Sequence, residues 1–373
     1  MELKILLPLF LAPFLLDAQM KKIPTDNRLT TELDKMVQKE ALAYMKDPAR
    51  VGISIGVFKD GKSYFYNYGT TERGKSELPT SQSLYEIASI TKTFTGTLLA
   101  HALVDGRIKM DDDIRKYLDG NYPNLEFDKH PITISNLTNH SSGLPQFLPD
   151  QSETFKKPMD SVAIALSDFY KNYSKKKFYE DLHQAKLNFV PGTEYKYSNV
   201  GTQIAGDILE KVYHKSYTDL LSEYITGPLK MSQTIVGTNS AQLLTCYNEK
   251  GKVMPRNFTT IMAPAGGIIS TTGDLVKYMQ YQLNERDSYV KASHTPFVKS
   301  EGDAIGLYWR IHTYEDGTRT VYHTGGTFGF SSVLQIYPSK NMGVVVLSNE
   351  SDGESQGKLH DIADNLIRNS SKK

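Results

Sequence analysis

Strand-like segments occupy the two ends of this 373-residue chain, and helical patterns fill its middle. Two β-like runs, 51–58 and 63–70, flank Asp60-Gly61, a pair that favours a hairpin turn. Toward the other end, β-like runs cover 304–314, 318–323, 330–337 and 343–349. Amphipathic helices are predicted outside both groups, over 27–47 and 356–368. The pattern predicts an α+β fold with one antiparallel sheet, formed by both chain ends and flanked by the terminal helices.

The middle of the chain, about residues 85–298, is predicted to be a mostly helical region inserted into that sheet. Its helical patterns cover 91–104, 161–170, 202–212 and 274–283. The sheet would take about residues 27–80 and 300–373, so that sheet and helices form one unit. A functional site is expected in the cleft between them.

The first residues are typical of an export signal. Ile5 to Leu16 is an unbroken apolar run, shorter than the about 20 residues that a transmembrane helix needs. We predict a signal peptide over 1–18, cleaved after Ala18, and a periplasmic or secreted catalytic unit over 19–373 with no stable membrane span. Glu2 lies where a signal peptide is normally basic, so an uncleaved anchor is the open alternative.

Charge and cysteine content exclude several classes of function. Lys and Arg number 43 and Asp and Glu 42, which leaves no basic excess for nucleic-acid binding. The nine histidines are scattered without H-E-x-x-H spacing, so we predict no metal site and no cofactor. Cys246 is the only cysteine; it cannot form an intramolecular disulfide and is expected in the core. The sequence leaves the oligomeric state open.

Two serine motifs compete for the role of a nucleophile. Ser54 lies in Gly52-Ile53-Ser54-Ile55-Gly56, which fits the G-x-S-x-G elbow of α/β-hydrolases. That elbow needs a strand that turns directly into a helix, whereas this run continues into a hairpin. We therefore interpret Ser54 as a strand residue and keep the elbow as a minor alternative.

The S-x-x-K motif occurs five times, and only one match opens an apolar helix. Ser89 and Lys92 precede apolar residues at helical spacing, which places both side chains on one face of a buried helix. Ser174/Lys177, Ser288/Lys291, Ser355/Lys358 and Ser370/Lys373 lie in polar or terminal stretches. A buried lysine with a lowered pKa can take the proton of a serine hydroxyl. Taken alone, the motif equally allows an N-cap serine beside a surface lysine.

Two further motifs follow in order along the chain. Tyr197 and Asn199 form Tyr-x-Asn just before a predicted helix, and His323-Thr324-Gly325-Gly326 ends a β-like run. The order S-x-x-K, Tyr-x-Asn, (Lys/His)-Thr-Gly resembles that of serine hydrolases related to class C β-lactamases and low-molecular-weight penicillin-binding proteins. Residues 137–145, 265–275 and 338–349 also resemble segments of this family, so the resemblance runs from about residue 51 to 349.

The resemblance implies a β-lactamase/transpeptidase-like fold and a role for each matching residue. Ser89 would be the acylated nucleophile, Lys92 its activating partner and Tyr197 the general acid and base, with a phenol pKa lowered by nearby cations. Asn199 would bind substrate and help to hold Lys92. His323, Thr324 and Gly325 would line the substrate cleft. The backbone N–H groups of Ser89 and Gly326 would form the oxyanion hole. His140 is expected to be structural.

One departure from the family pattern bears on the substrate. Many relatives carry lysine at the position of His323, and an imidazole is mostly neutral at pH 7. We therefore expect weaker demand for a substrate carboxylate and weak β-lactamase activity. The predicted substrate is a small molecule or peptide with an amide or ester, such as a D-amino-acid peptide, an ester, a β-lactam-like compound or a peptidoglycan-derived compound. A non-catalytic protein that binds peptidoglycan or self-assembles is the alternative.

Overall fold

The computed structural model describes residues 22–237, 242–256, 261–300 and 303–370; the predicted signal peptide lies outside them. The α-helices are α1 Glu32–Met45, α2 Thr91–Val104, α3 Ile134–Thr138, α4 Ser152–Phe155, α5 Met159–Lys171, α6 Lys175–Leu182, α7 Asn199–Tyr213, α8 Tyr217–Leu221, α9 Ala263–Gly266, α10 Thr272–Gln282, α11 Ser288–Ser293 and α12 Ser355–Asn369. The strands are β1 Gly52–Lys59, β2 Lys62–Gly69, β3 Tyr85–Glu86, β4 Glu126–Phe127, β5 His130–Pro131, β6 Ile235–Val236, β7 Tyr247–Asn248, β8 Ile268–Ser270, β9 Val298–Ser300, β10 Asp303–Ile305, β11 Arg310–Thr313, β12 Arg319–Gly326, β13 Ser331–Tyr337, β14 Met342–Ser348 and β15 Glu350–Ser351.

Both ends of the chain meet in one antiparallel sheet. Among the described residues it has eight strands in the order β2-β1-β14-β13-β12-β11-β10-β9. β1 pairs with β14 antiparallel, with Ile55 opposite Val346, so an N-terminal strand lies beside a C-terminal one. The predicted α+β architecture, with a sheet made from both termini and a helical region between them, is confirmed.

The central strands are apolar on both faces because each face covers a separate core. In β14, Val344 and Val346 pack with residues of α1 and α12, whereas Val345 and Leu347 belong to the larger core on the side of the helical region. Side chains alternate between the faces of a strand, so this run contributes to both cores. The terminal helices thus cover one face of the sheet, and the other face packs against the inserted helices.

The run 304–314, which the sequence predicts as one strand, is two strands joined by a buried loop. β10 and β11 pair antiparallel, and residues 306–309 between them turn into the core. Leu307 N–H donates to the carbonyl of Ser293, and Tyr308 N–H donates to that of Thr138. The apolar side chains that suggested a continuous strand are buried by this loop instead. The loop 306–309 packs on α2 at Gly96, where a Cβ would lie 2.1 Å from the carbonyl oxygen of Leu307.

Helix α2 runs through the centre of the helical region. Every residue from Thr91 to Ala102 is buried, which fits a helix that is covered on all sides. The turn that leads into α2, Ala88–Ile90, lies beside β12, so this buried helix begins next to the sheet at the cleft. Within the described part of the chain, no helix is both long and apolar enough to cross a membrane.

Candidate active site

Ser89 lies in a tight turn that leads directly into α2. A 3₁₀ turn spans Ala88–Ile90, and Lys92 follows in the first turn of the helix. Ala88 has a φ of 47°, in the left-handed region that residues other than glycine seldom adopt. Strained backbone of this kind is concentrated at functional sites, where the surrounding structure enforces it. Lys92 Nζ lies 3.2 Å from Ser89 Oγ.

The amine of Lys92 is completely buried and has three polar neighbours. Besides Ser89 Oγ, Nζ lies 2.8 Å from Asn199 Oδ1 and 2.6 Å from the carbonyl oxygen of Ala265. Burial lowers the pKa of Lys92 well below its usual 10.5, because the interior disfavours the ammonium. A neutral amine can donate its two hydrogens to Asn199 and Ala265 and accept one from the Ser89 hydroxyl. Lys92 can therefore serve as a proton acceptor for that hydroxyl.

Tyr197 completes the contacts of the Ser89 hydroxyl. Its phenol donates a 2.7 Å hydrogen bond to Ser89 Oγ, and its ring lies 4.8 Å from Lys92 Nζ. Burial raises the pKa of Tyr197 above its usual 10, although Ser89 and Arg310 act to lower it. The expectation of a lowered phenol pKa is thus wrong, since desolvation outweighs the nearby positive charge. Tyr197 is a proton donor toward Ser89 in this arrangement.

The segment that carries Tyr197 is fixed by Ser198 and His140. Ser198 caps α7: its Oγ accepts from Gly201 N–H at 3.0 Å and donates to the carbonyl of Pro145 at 2.7 Å. His140 Nδ1 accepts from Ser198 N–H at 3.2 Å, and its ring centroid lies 4.4 Å from that of Tyr197. Burial holds the pKa of His140 well below its usual 6.5, so the acceptor nitrogen is unprotonated. These contacts give His140 a positioning role.

Strand β12 forms the wall opposite the helical region. A Cβ on Gly325 would lie 2.4 Å from the carbonyl oxygen of Ile87 and 3.0 Å from the backbone nitrogen of Ser89. Only glycine therefore lets β12 approach the turn that carries Ser89 this closely. Gly326 follows at the exposed end of the strand and lines the same cavity as Ser89. The two N–H groups predicted for an oxyanion hole thus belong to adjacent segments.

His323 is buried in β12, and its imidazole is neutral. Burial, together with the positive charge of Arg310, lowers the pKa of His323 to about 3, and Lys92 adds to this effect whenever its amine is protonated. Nδ1 lies 2.6 Å from the carbonyl oxygen of Thr324, so Nδ1 carries the hydrogen and Nε2 is left as an acceptor. The imidazole therefore supplies no positive charge to the cleft at neutral pH.

Arg310 is a neighbour of the site that the sequence analysis did not identify. It is exposed at the start of β11, opposite Tyr322 of β12, and its charge acts on His323 and Tyr197. The carbonyl of Ala265 was also missed as a partner of Lys92, although its segment had been singled out. A backbone acceptor leaves no signal in residue type, and an arginine in a β-like run is typical of an exposed strand position.

The other nucleophile candidates lie elsewhere. Ser54 is buried within β1 and bonds to Asn67 and Tyr85, so it lies on no strand-to-helix turn. Cys246 is buried, as predicted for a core residue. In the parts of the chain that the structure covers, no three His, Cys, Asp or Glu residues lie close enough to hold a metal ion.

A cavity of about 570 Å³ opens beside Ser89. Ser89, Asn199, Ala265 and Gly326 lie on its wall, together with residues of α4 and α5. This size is typical of sites for small organic ligands. The polar cluster therefore meets a space large enough for part of a substrate.

Comparisons of sequence place the chain among known proteins. The beta-lactamase family profile matches residues 37–368. A beta-lactamase of Pseudomonas fluorescens is 25% identical over 361 residues, which cover 86% of this chain and 94% of that protein. The D-alanyl-D-alanine-carboxypeptidase/endopeptidase AmpH of Escherichia coli K12 is 29% identical over 314 residues, 79% of this chain and 78% of AmpH.

Solved structures share the fold over nearly the whole length. The beta-lactamase/D-alanine carboxypeptidase from Yersinia pestis, complexed with citrate, has a TM-score of 0.76 and 26% identity, and the match covers 91% of this chain and 99% of that one. A class C beta-lactamase matches in fold with a TM-score of 0.76, 23% identity and coverage of 91% and 96%. The chain shares the fold of class C beta-lactamases, and it belongs to the beta-lactamase family, whose members similar to it include a beta-lactamase and a D-alanyl-D-alanine-carboxypeptidase/endopeptidase.

Proposed function

We propose that this chain is a serine hydrolase that cleaves an amide or ester through an acyl-enzyme on Ser89. The observation that carries the proposal is the convergence of two proton-transfer groups on one hydroxyl. Lys92 Nζ and Tyr197 OH lie 3.2 and 2.7 Å from Ser89 Oγ. A serine needs such a neighbour to become nucleophilic, and both distances suit proton transfer.

The resting protonation states assign the first step to Lys92. Burial lowers the pKa of the Lys92 amine and so favours its neutral, proton-accepting form, whereas burial raises the pKa of the Tyr197 phenol and favours its protonated form. As Ser89 Oγ bonds to the substrate carbonyl carbon, its proton moves to Lys92 Nζ. The negative charge on the carbonyl oxygen is held by the N–H groups of Ser89 and Gly326, each worth about 3 kcal/mol in sites of this type.

Tyr197 then acts on the leaving group. The bond between the carbonyl carbon and the leaving nitrogen or oxygen breaks, and the leaving atom keeps the electron pair and takes the phenolic proton. Lys92 returns a proton to Tyr197, so both groups regain their resting states. In the second half-reaction the steps run in reverse with water in place of the leaving group. Asn199, bonded to Lys92, and His323, Thr324 and Gly325 of β12 would position the substrate.

The positive charge near Tyr197 favours a leaving group that carries a carboxylate. His323 is neutral, but Arg310 is a permanent cation that acts on both Tyr197 and His323. Demand for a carboxylate would therefore come from Arg310, despite the absence of lysine at the His323 position. A D-amino acid released from a peptide fits this chemistry, in line with the carboxypeptidases among the relatives.

The place of action follows from the N-terminal sequence alone. We propose that residues 1–18 direct export and are removed, and that residues 19–373 work as one catalytic unit in the periplasm or outside the cell. Mass spectrometry of the protein from the periplasmic or secreted fraction tests this. A mature N terminus at Gln19 is expected, and a cytoplasmic protein that keeps Met1 would contradict export.

Turnover on a small panel tests the proposed activity. A nitrophenyl ester, a D-amino-acid amide, a D-Ala-D-Ala peptide and a chromogenic cephalosporin separate the open substrate classes. We expect measurable kcat/KM on at least one amide or ester and a loss of several orders of magnitude in Ser89→Ala. Ser288→Ala, in an S-x-x-K match that begins α11, is the control that keeps full activity. Full activity in Ser89→Ala would refute the mechanism, and no turnover or adduct at all would favour a non-catalytic binding protein.

A further inference from the structure

The cavity beside Ser89 has an apolar wall that the mechanism above does not use. The larger apolar side chains of its lining include Phe147, Phe155, Met159, Leu166, Met254 and Phe328. The rings of Phe147 and Phe155 stack with centroids 5.5 Å apart, so these two aromatic side chains pack against each other at the cavity. Polar residues such as Asp160 and Arg256 also contribute to the lining. An apolar wall with a few polar groups is typical of a site for an apolar ligand.

Apolar side chains at this cavity remain exposed. Phe155 is 39% and Met159 56% exposed, although both belong to the lining. Burying such side chains against a ligand would be favourable, at about 25 cal/mol per Å² of apolar surface. The helices α4 and α5 thus present an unfilled apolar surface next to the nucleophile.

The position of Tyr197 decides which half of the substrate enters the cavity. Tyr197 must lie beside the leaving group to protonate it. Among the described residues, the cavity lining includes Ser89 and Gly326, whereas Tyr197, His323 and Arg310 lie outside it. The leaving group therefore occupies the polar side with these three residues, and the acyl half points to the cavity.

We propose that the cavity is an acyl-binding pocket and that the preferred substrates donate an apolar acyl group of about six carbons or more. This inference rests on the proposed acyl-enzyme mechanism and specifies its substrate. The carbonyl carbon would lie at Ser89, and the chain would extend between the Phe147–Phe155 pair and Met159.

A series of nitrophenyl esters from acetyl to hexanoyl tests the pocket. Each methylene that enters it is expected to raise kcat/KM about fourfold, equivalent to about 0.8 kcal/mol. Hexanoyl has four methylenes more than acetyl, so we expect an about 250-fold rise across the series in the wild type. Met159→Glu places a carboxylate at the wall and should lower the hexanoyl-to-acetyl ratio of kcat/KM about tenfold.

Ile164→Glu is the matched control. Ile164 lies on the same helix, is 46% exposed and is outside the cavity lining, so this variant should keep the wild-type values for every ester. A flat or falling wild-type series, or an equal drop of the ratio in both variants, would overturn the pocket. If kcat/KM does not rise with chain length but the acetyl ester is still hydrolysed through Ser89, the acyl-enzyme mechanism stands and only the assignment of the pocket fails. If no ester acylates Ser89, both fail.

Discussion

The phenol of Tyr197 donates a 2.7 Å hydrogen bond to Ser89 Oγ, although 108 positions separate the two residues in the chain. Two local structures make this contact possible: a tight turn presents Ser89 at the start of α2, and the Ser198 cap fixes Tyr197 before α7. Because burial keeps the phenol protonated, the contact marks Tyr197 as the donor and leaves Lys92 to take the serine proton.

Tyr197→Phe isolates the hydroxyl from the ring. The ring contact with His140 remains, while the hydrogen bond to Ser89 is lost. We expect kcat to fall by about 10²–10⁴-fold, as for loss of a general acid or base. The free energy of unfolding should change by only about 1 kcal/mol, the usual value of one hydrogen bond. Steady-state kinetics and urea unfolding check both values; unchanged kcat would remove Tyr197 from the mechanism.

The pH profile reports the protonation of Lys92. Because its pKa is lowered, the amine becomes neutral at a lower pH than an exposed lysine, and only the neutral amine accepts the serine proton. We expect kcat/KM to rise with pH through this lowered pKa and to reach a plateau before pH 10.5. Lys92→Met should abolish the rise and reduce kcat/KM by about 10²–10⁴-fold. A wild-type rate that falls as pH increases over this range would contradict a neutral lysine base.

Gly325→Ala tests the close approach of β12 to the nucleophile. The added methyl would lie 2.4 Å from the carbonyl oxygen of Ile87 and 2.5 Å from Ser332 Oγ, so the strand must move away from Ser89. A displacement of about 1 Å at an active site typically costs about 100-fold in rate.

Gly357→Ala is the control for that substitution. Gly357 lies in α12, and a Cβ there would meet no atom within 4 Å. This variant should keep full kcat/KM and unfold at the same or a higher urea concentration, since alanine favours the helix by about 1 kcal/mol. Equal kcat/KM in the Gly325→Ala and Gly357→Ala variants would show that catalysis does not depend on the close approach of β12 to Ser89.

His323 should not titrate in the range where most histidines do. Its pKa of about 3 keeps the imidazole neutral throughout pH 5 to 8. We therefore expect His323→Gln to change the magnitude of kcat/KM but not the shape of its pH profile in this range. A limb near pH 6.5 in the wild type that disappears in the variant would mean that His323 is protonated during turnover.

Among the described residues, local patterns were sufficient to predict the α-helices longer than ten residues and the strands longer than five residues, whereas most of the shorter elements were not predicted. Helix α2 begins and ends at the predicted residues, Thr91 and Val104, because its apolar side chains repeat at helical spacing. Ordered motifs were sufficient to choose Ser89, Lys92 and Tyr197 over similar motifs elsewhere in the chain. The structure places these three side chains within hydrogen-bond reach or ring contact of one another.

The errors arose where distant parts of the chain decide the outcome. The run 304–314 is interrupted because Leu307 and Tyr308 bond to Ser293 and Thr138, partners that no local pattern reveals. The phenol pKa of Tyr197 was predicted to be lowered but is raised, because the sequence indicates nearby charges and does not reveal how deeply the phenol is buried. Arg310 escaped notice because strand pairing, not a motif, brings it beside β12.

Labelling with a fluorophosphonate followed by tryptic mass spectrometry shows directly which serine of this chain is the nucleophile. Trypsin places Ser89 in the peptide 76–92 and Ser54 in the peptide 51–59, so the modified serine is identified without ambiguity. We expect one adduct, on the peptide 76–92, that is absent from Ser89→Ala. An adduct on the peptide 51–59, or labelling that persists in Ser89→Ala, would contradict it.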